Sequence, residues 1–384
     1  MVSSETDRTN WLDSAIQDAG AAAYVAYGSS ADANVRYLTR FRTTDPVVYV
    51  HKPGERGLIV VSQMEYERAV RESTAAVVTR ADVGFLDCIR AGESRWRATA
   101  HVIADMAGGP LLAPSFFPFA LARHLESFQP VILDEKGVVE RMRAIKTPEE
   151  IQWIRGAQHV TEAAMDRGIA LIRSSVPKDG LLYRNGAPLT SEAVRTEMHT
   201  TLLAHGYRGI DTIVSCGPDT ALPHHQGRGP LLEDEPIVID IFPQDERTGY
   251  HADMTRTVVK GEPSPAIREM YDAVRAAKEH AISMLRAGAH GADLYREVVE
   301  FFRDRGYESN MRGFTHNLGH GVGLEVHEDP SLGPEGGELC AGNVVTVEPG
   351  LYYPGIGGVR LEDMGVVTET GFDRFTQYEE RLTV

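Results

Sequence analysis

Along the first 140 residues, apolar runs of strand length alternate with stretches of helical spacing. AAAYVAYG (21–28) and PVVYVHKPG (46–54) are rich in β-branched and aromatic residues, and RGLIVVS (56–62) follows a Pro-Gly turn. MEYERAVRES (64–73) switches to helical spacing, and PVILDE (130–135) returns to the strand pattern. The order predicts an α/β domain. No grouping of acids, bases or metal ligands stands out in it, so residues 1–140 read as an accessory or dimerisation domain.

A sharp boundary follows in RAIKTPEEIQWIRGAQHVTEAAM (143–165). Thr147 as N-cap, Pro148 in the first helical position and Glu150 three residues after the cap make a capping box. Ile151, Ile154, Val160 and Ala164 continue one helical face, predicting a helix over 148–174 that opens a second domain, 141–384. From there the chain runs twice through one plan. The first pass is a helix, a second helix at about 191–205, His224, and the strands PIVIDIF and YHADMTRTVV. The second is a helix from Ser264-Pro265 to about Leu285, another over 292–305, His320, and the strands NVVTVEPG and GVRLEDMGVV. The repeated order predicts an internal duplication. The stretch DGLLYRNGAPLT (179–190) is an insertion in this plan without an assigned structure.

Composition then narrows the partners. A chain of 384 residues can bury a large core, and 42% hydrophobic with 24% charged residues is ordinary for a globular protein. The 39 basic residues against 55 acidic ones leave a formal charge of −16. That balance argues against nucleic acid, whose phosphates need a positive surface, and against docking on an anionic membrane. Cys88, Cys216 and Cys340 are odd in number and form no CxxC pair, so neither a disulfide framework nor a thiolate zinc site is indicated. The N-terminus, MVSSETDRTNWL, lacks the basic and apolar regions of a secretory signal, and the most apolar stretch, 109–122, is broken by three prolines. A cytoplasmic protein is expected.

Two carboxylates interrupt apolar strands, where an isolated ionised group is strongly disfavoured. In PIVIDIFPQDERTGYHADMTRTVV, a hairpin centred between Glu246 and Arg247 would put Asp240 opposite Asp253, with Cβ atoms roughly 5 Å apart. In VVTVEPGLYYPGIGGVRLED, a hairpin centred on Gly355 would put Glu348 opposite Glu362. One such acid is more often a satisfied buried carboxylate than a ligand. Two facing pairs in equivalent places of a duplicated plan call for cations between them. The oxygen-rich set suits Mn²⁺ or a similar ion, and paired metals activate water for hydrolysis. HNLGHGVGLEVHEDP supplies His316, His320 and His327, its glycines disfavouring a helix. TIVSCGPDTALPHHQG adds His224 and His225 in a loop.

These motifs resemble the pita-bread metallopeptidases, specifically the branch holding aminopeptidase P and prolidase. The stretches that carry the likeness are VIDIF…YHADMTRT, HNLGHGVGLEVHEDP, VVTVEPG, GGVRLED, RAIKTPEEI and TIVSCGPDTALPHH. The resemblance covers the chain from about residue 140, and the α/β domain before it fits the same branch. It implies a mixed α/β (α+β) fold: a creatinase-like N-terminal domain, then a pita-bread catalytic domain with internal pseudo-duplication. It implies two divalent ions, foremost Mn²⁺ with Co²⁺ or Zn²⁺ as alternatives, held by Asp240, Asp253, His320, Glu348 and Glu362. His224 and His327 would contact the scissile peptide group, and Glu348 would double as general base. Arg360 would lie near the substrate's carboxyl side and His316 on the substrate side, while Cys216 would be structural. The family's Asp-x-Gly reads Asp240-Ile241-Phe242 here and the spacing to Asp253 is slightly longer, which alters the turn.

The activity implied is cleavage before proline in a proline-containing di- or oligopeptide, by a homodimer. An Xaa-Pro dipeptidase is favoured, the 179–190 insertion being expected to narrow the cleft; the alternative is an Xaa-Pro aminopeptidase acting on longer peptides. The long N-terminal domain argues against a methionine aminopeptidase. The intact ligand set argues against creatinase and against a non-catalytic binding module.

Overall fold

The computed structural model describes residues 5–384; the first four residues of the N-terminal segment read above as free of a signal lie outside them. The chain divides into two compact units, one ending at Arg143 and the other running Ala144–Val384.

The first unit carries strands β1 (Ala23–Gly28), β2 (Val47–His51), β3 (Leu58–Val61), β4 (Ala76–Thr79), β5 (Leu111–Pro114) and β6 (Val131–Asp134). They form one mixed sheet in the order β4-β3-β2-β1-β5-β6. Its helices are α1 (Glu5–Asp18), α2 (Ala33–Thr39), α3 (Tyr66–Glu72), α4 (Phe85–Arg90), α5 (Arg95–Ala107), α6 (Phe119–Leu125) and α7 (Val138–Ala144). Alternate residues of one strand enter different cores. Tyr24, Ala26, Tyr49, Ile59 and Val61 pack with Leu12, Ile16, Val35 and Val138. Ala23, Val25, Val48, Val50 and Val60 pack with Ile103, Leu121 and Leu125 on the other face. Burial on both faces is why these strands read as unbroken apolar runs rather than alternating ones.

The second unit opens on α8 (Pro148–Arg173), whose capping box is complete: Thr147 Oγ1 accepts from Glu150 N at 3.2 Å, and Glu150 Oε2 accepts from Thr147 N at 2.7 Å. Then come β7 (Val176–Lys178), β8 (Leu181–Arg184), β9 (Ala187–Pro188), α9 (Ser191–Ala204), β10 (Tyr207–Arg208), β11 (Ile213–Cys216), β12 (Pro236–Ile241), β13 (Gln244–Asp245) and β14 (Met254–Val259). The chain continues through α10 (Pro265–Met284), α11 (Gly291–Arg303), β15 (Gly319–Gly321), β16 (Glu328–Leu332), β17 (Val344–Val347), β18 (Gly350–Tyr353), β19 (Gly357–Arg360), β20 (Asp363–Val367) and β21 (Phe372–Arg374). The insertion at 179–190 is a small meander, β7-β8-β9. Its backbone bonds run to Leu231 and Glu233, not to the carboxylates of the second unit.

Each pass of the repeated plan has its own core. In the first, Ile237, Ile239, Ile241, Met254 and Val258 pack under α8 and α9 beside Ala164, Ile169, Val194 and Met198. In the second, Val345, Val347, Leu351, Val359 and Leu361 pack under α10 and α11 beside Val274, Ala277, Leu294 and Val298. Because strand side chains alternate, the complementary set points away from the helices: Asp240, Asp253 and Thr255 from one pass, Glu348, Tyr352, Arg360 and Glu362 from the other. Both helix pairs thus press their sheets so that the carboxylates share the opposite face.

Candidate metal centre

The two hairpins differ in how closely they follow the sequence reading. In the second, Val347 pairs with Asp363 and Gly350 with Arg360, a single register that brackets Glu348 and Glu362 face to face as expected. In the first, Asp240 pairs with Thr255, not Asp253. The register is displaced by two residues because the connection is not a simple loop. Gln244 and Asp245 form β13, paired with Tyr207 and Arg208 of β10. Asp245 then closes a turn, accepting from Arg247 N at 2.8 Å and from Thr248 Oγ1 at 2.8 Å. A shift of two preserves the face, so Asp240 and Asp253 remain on the same side as diagonal neighbours.

Thr255 joins the two passes. Its carbonyl accepts from Glu362 N at 3.1 Å and its hydroxyl donates to Glu362 Oε2 at 2.8 Å. His320 arrives on β15 between Gly319 and Gly321, where a side chain would collide with the Thr346 and Asp329 carbonyls at 2.1 and 2.2 Å. The glycines let this strand slip between its neighbours. His320 Nδ1 donates to the Gly321 carbonyl at 3.1 Å, which makes Nε2 the nitrogen turned into the cluster. Nε2 is 3.3 Å from Glu348 Oε1 and 3.8 Å from Asp253 Oδ2. Asp253, His320 and Glu362 each present a ligand atom within 4.8 Å of the others.

Electrostatics shows what this cluster lacks. Burial, then the charges of Glu362, Asp240 and Glu348, push the Asp253 carboxyl well above the usual range. Burial, then Glu348 and Asp240, do the same to Glu362. Burial also opposes ionisation of Glu348, but the hydrogen bond from His320 and the positive charges of His316, His320 and Arg360 outweigh it and hold that carboxyl at about 2. Asp240 Oδ1, Asp253 Oδ1 and Glu362 Oε1 are buried and have no hydrogen-bond partner. Orphaned carboxylate oxygens converging with an imidazole nitrogen are the donor set of a divalent cation, and the residues present fit one.

The remaining expected residues fall into two groups. Arg360 is 3% exposed and spends its guanidinium inward, on Asp240 Oδ2 at 2.7 Å, the Tyr352 hydroxyl at 2.8 Å and Thr255 Oγ1 at 3.2 Å. Toward Asp240 it serves as a counterion within the cluster. His316 Nε2 lies 2.9 Å from the same Tyr352 hydroxyl, and its Nδ1 2.8 Å from the Asn317 carbonyl. His327 stacks edge-on against His320 at 4.2 Å. His224 and His327 are exposed; burial and then the charge of Arg360 lower the pKa of His316, and burial and then the charge of His320 lower that of His327. His225 turns to Asp219 at 3.6 Å. Cys216 accepts from Leu232 N, and burial pushes its thiol up to about 12, an inert packing role.

Tyr352 and Thr255 were missed. The signal existed for both: Tyr352 shares the strand face of Glu348, and Thr255 that of Asp253. Tyr352→Phe is expected to lower kcat/KM about tenfold, the scale for a group that orients ligands rather than binding metal. Stability should fall by about 1 kcal/mol for the lost hydrogen bonds. Steady-state kinetics beside a thermal melt checks both, and an unchanged kcat/KM would remove Tyr352 from the orienting chain.

Comparison with known proteins agrees with this geometry. Residues 152–369 match metallopeptidase family M24, and residues 8–145 match the creatinase/prolidase N-terminal domain. An Xaa-Pro dipeptidase of Lactobacillus helveticus is 34% identical over 257 residues, an alignment spanning 65% of this chain and 65% of that enzyme. Among solved structures, an Xaa-Pro dipeptidase from Bacillus anthracis superposes with a TM-score of 0.84 at 25% identity over 99% of both chains. An X-Pro aminopeptidase from Thermotoga maritima superposes with a TM-score of 0.80 at 26% identity, over 97% of this chain and 100% of that one.

Proposed function

The chain belongs to metallopeptidase family M24, and from that premise we propose that it is an Xaa-Pro dipeptidase. The observation that carries the reading is the buried cluster of Asp253, Glu362 and Asp240 with orphaned oxygens beside Nε2 of His320. The family implies a divalent metal. The finer proposal is two ions, Mn²⁺ foremost, held by Asp240, Asp253, His320, Glu348 and Glu362. When bound, such ions supply a nucleophile at neutral pH and Lewis acidity toward a carbonyl.

The chain's own residues do the rest. Glu348, a carboxylate facing the same cluster 3.3 Å from His320 Nε2, is the proposed general base. Arg360 balances Asp240 and, through Tyr352, orients His316. His224 and His327 are exposed near that cluster and are proposed to bind the carbonyl oxygen of the scissile bond. That bond is a tertiary amide with no N–H, so recognition must come from its carbonyl side. The proline nitrogen must leave as a secondary amine, and a proton returned by Glu348 or His224 meets that need.

Preference for the dipeptide rests on likeness to the Lactobacillus and Bacillus dipeptidases; likeness to the Thermotoga aminopeptidase supports longer peptides. Assaying Xaa-Pro beside Xaa-Pro-Xaa with Mn²⁺ separates them. Cleavage of the dipeptide at least about tenfold faster is expected, a difference of about 1.4 kcal/mol in transition-state binding. Comparable cleavage of the tripeptide would move the chain to the aminopeptidases. A homodimer is part of the same proposal, supported by Phe116, Phe119 and Leu133 left exposed on the first unit. Among the described residues, no helix is long and apolar enough to cross a membrane.

A further inference from the structure

The first unit holds a second grouping of metal-ligating side chains, assembled by a helix–turn–helix. At the end of α4 the Glu93 N–H bonds to the Cys88 carbonyl at 3.1 Å, and Gly92 supplies the positive φ of +88° that closes the turn. Glu93 is thereby folded back beside Cys88. Ser94 then caps α5, which brings His101 alongside, its ring stacked on Phe128 at 5.3 Å. Cys88 Sγ lies 3.5 Å from His101 Nδ1, Glu93 Oε1 lies 3.6 Å from the same nitrogen, and ligand atoms of all three fall within 4.8 Å of one another.

Hydrogen bonding leaves one oxygen of this arrangement unused. Asp105 Oδ2 stands 3.6 Å from His101 Nε2 and its charge favours the proton there, so the Nδ1 lone pair faces the Cys88 thiol and the Glu93 carboxylate, accepting from S–H in the metal-free state. Arg97 Nε stands 3.9 Å from Glu93 Oε1, while Glu93 Oε2 is buried without a hydrogen-bond partner. A cation in place of the thiol proton would engage the thiolate, the Nδ1 lone pair and the Glu93 carboxylate together. The spacings suit it: tetrahedral zinc with Zn–S of about 2.3 Å and Zn–N or Zn–O of about 2.05 Å requires S···N of about 3.5 Å and N···O of about 3.3 Å. A carboxylate behind the distal nitrogen of a ligating histidine is the usual support for such a site.

We propose that Cys88, Glu93 and His101 form a second, thiolate-containing metal site that takes Zn²⁺ or a similar thiophilic dication. The thiolate sets it apart from the oxygen-rich centre of the second unit, which suits harder ions. Binding exchanges the Cys88 S–H proton for the metal and pins α4 to α5 across the turn. It is not legible in the sequence, because a Cys, a Glu five residues on and a His eight beyond that match no ligand spacing of the CxxC kind.

Co²⁺ is the probe, added to the purified full-length protein. A sulfur-to-cobalt charge-transfer absorption is expected, with a final amplitude of one thiolate-bound ion per chain. It should persist in Asp253→Ala and vanish in Cys88→Ser. The centre of the second unit contains no sulfur, so this band reports on the new site whether or not the peptidase reading holds. Absence of the band in the wild-type chain, or its survival in Cys88→Ser, overturns the proposal. Alkylation mapping needs no variant: excess Zn²⁺ should slow iodoacetamide modification of Cys88 at least about tenfold, while the exposed Cys340 reacts as before. Equal rates at Cys88 with and without Zn²⁺ would also overturn it.

Discussion

Asp253→Ala is expected to lower turnover of an Xaa-Pro dipeptide by at least about a hundredfold, while the protein melts no lower than wild type once metal is removed. The first half follows from position. Asp253 is 3% exposed, Oδ2 lies 3.8 Å from His320 Nε2, and Oδ1 is a buried acceptor with nothing to accept from. Loss of a group that merely orients a ligand costs 10–100-fold, so loss of a ligand costs at least the upper end of that range. The second half follows from charge. Burial and the neighbouring Glu362, Asp240 and Glu348 make an ionised Asp253 unfavourable in the metal-free fold, so truncation relieves repulsion as well as removing packing. The expected signature is activity lost and stability kept, the pattern of a residue retained for function at a cost to the fold. Kinetics, metal content by mass spectrometry and a melt of the chelated protein read it together. Full activity with full metal content in Asp253→Ala would sink the assignment of this centre.

How much of this was legible beforehand depends on what each feature needed. The start of α8 was readable because Thr147, Pro148 and Glu150 act within one turn, and local hydrogen bonds decide the outcome. Glu348 and Glu362 were readable because their hairpin is tight and one register runs through it. Asp240 and Asp253 were half readable: parity survives a shift of two, but the register depended on Gln244 and Asp245 finding a distant partner in β10. The insertion at 179–190 carried its answer in plain sight. Asp179-Gly180 and Asn185-Gly186 have positive φ at both positions, 53° and 78°, then 53° and 82°, the two-residue turns for which Asp-Gly and Asn-Gly are the strongest hairpin signals. The inward contacts of Arg360 were not legible for a different reason. Its neighbour Glu362 fixed its face, but only the packing of Thr255, Tyr352 and Asp240 around it decides whether a guanidinium looks outward or inward.

Removing metal is expected to destabilise the second unit by an amount that grows with pH. Ligand present at a thousand times its dissociation constant stabilises the folded state by about 4.1 kcal/mol. At about 2–4 °C per kcal/mol for a unit of this size, chelation should lower its melting temperature by about 8–16 °C near neutral pH. The pH dependence follows from which groups are shifted. Asp253 and Glu362 are raised above their unfolded values, so their contribution to the metal-free fold is fully present below about pH 4, the unfolded carboxyl range, and is lost as pH rises through the raised values. Glu348, held at about 2, contributes in the opposite sense: its stabilisation is present above about pH 4.3 and is lost only as pH falls toward 2. Above about pH 7 Glu348 is constant and the depressed His251, His316 and His327 are neutral in both states, so the falling slope there comes from Asp253 and Glu362, whereas below it those histidines contribute in the opposite sense. The chelated protein should melt progressively lower as pH rises above about 7. Cations bind better once protons no longer compete for the same oxygens, so the loaded protein should gain over it. Melts of chelated and Mn²⁺-loaded protein at about pH 7 and about pH 8.5 test this directly. A gap that narrows with pH would mean that the buried carboxylates are not the ligands, because among the described residues no other grouping in the second unit joins raised carboxyl pKa values to orphaned oxygens.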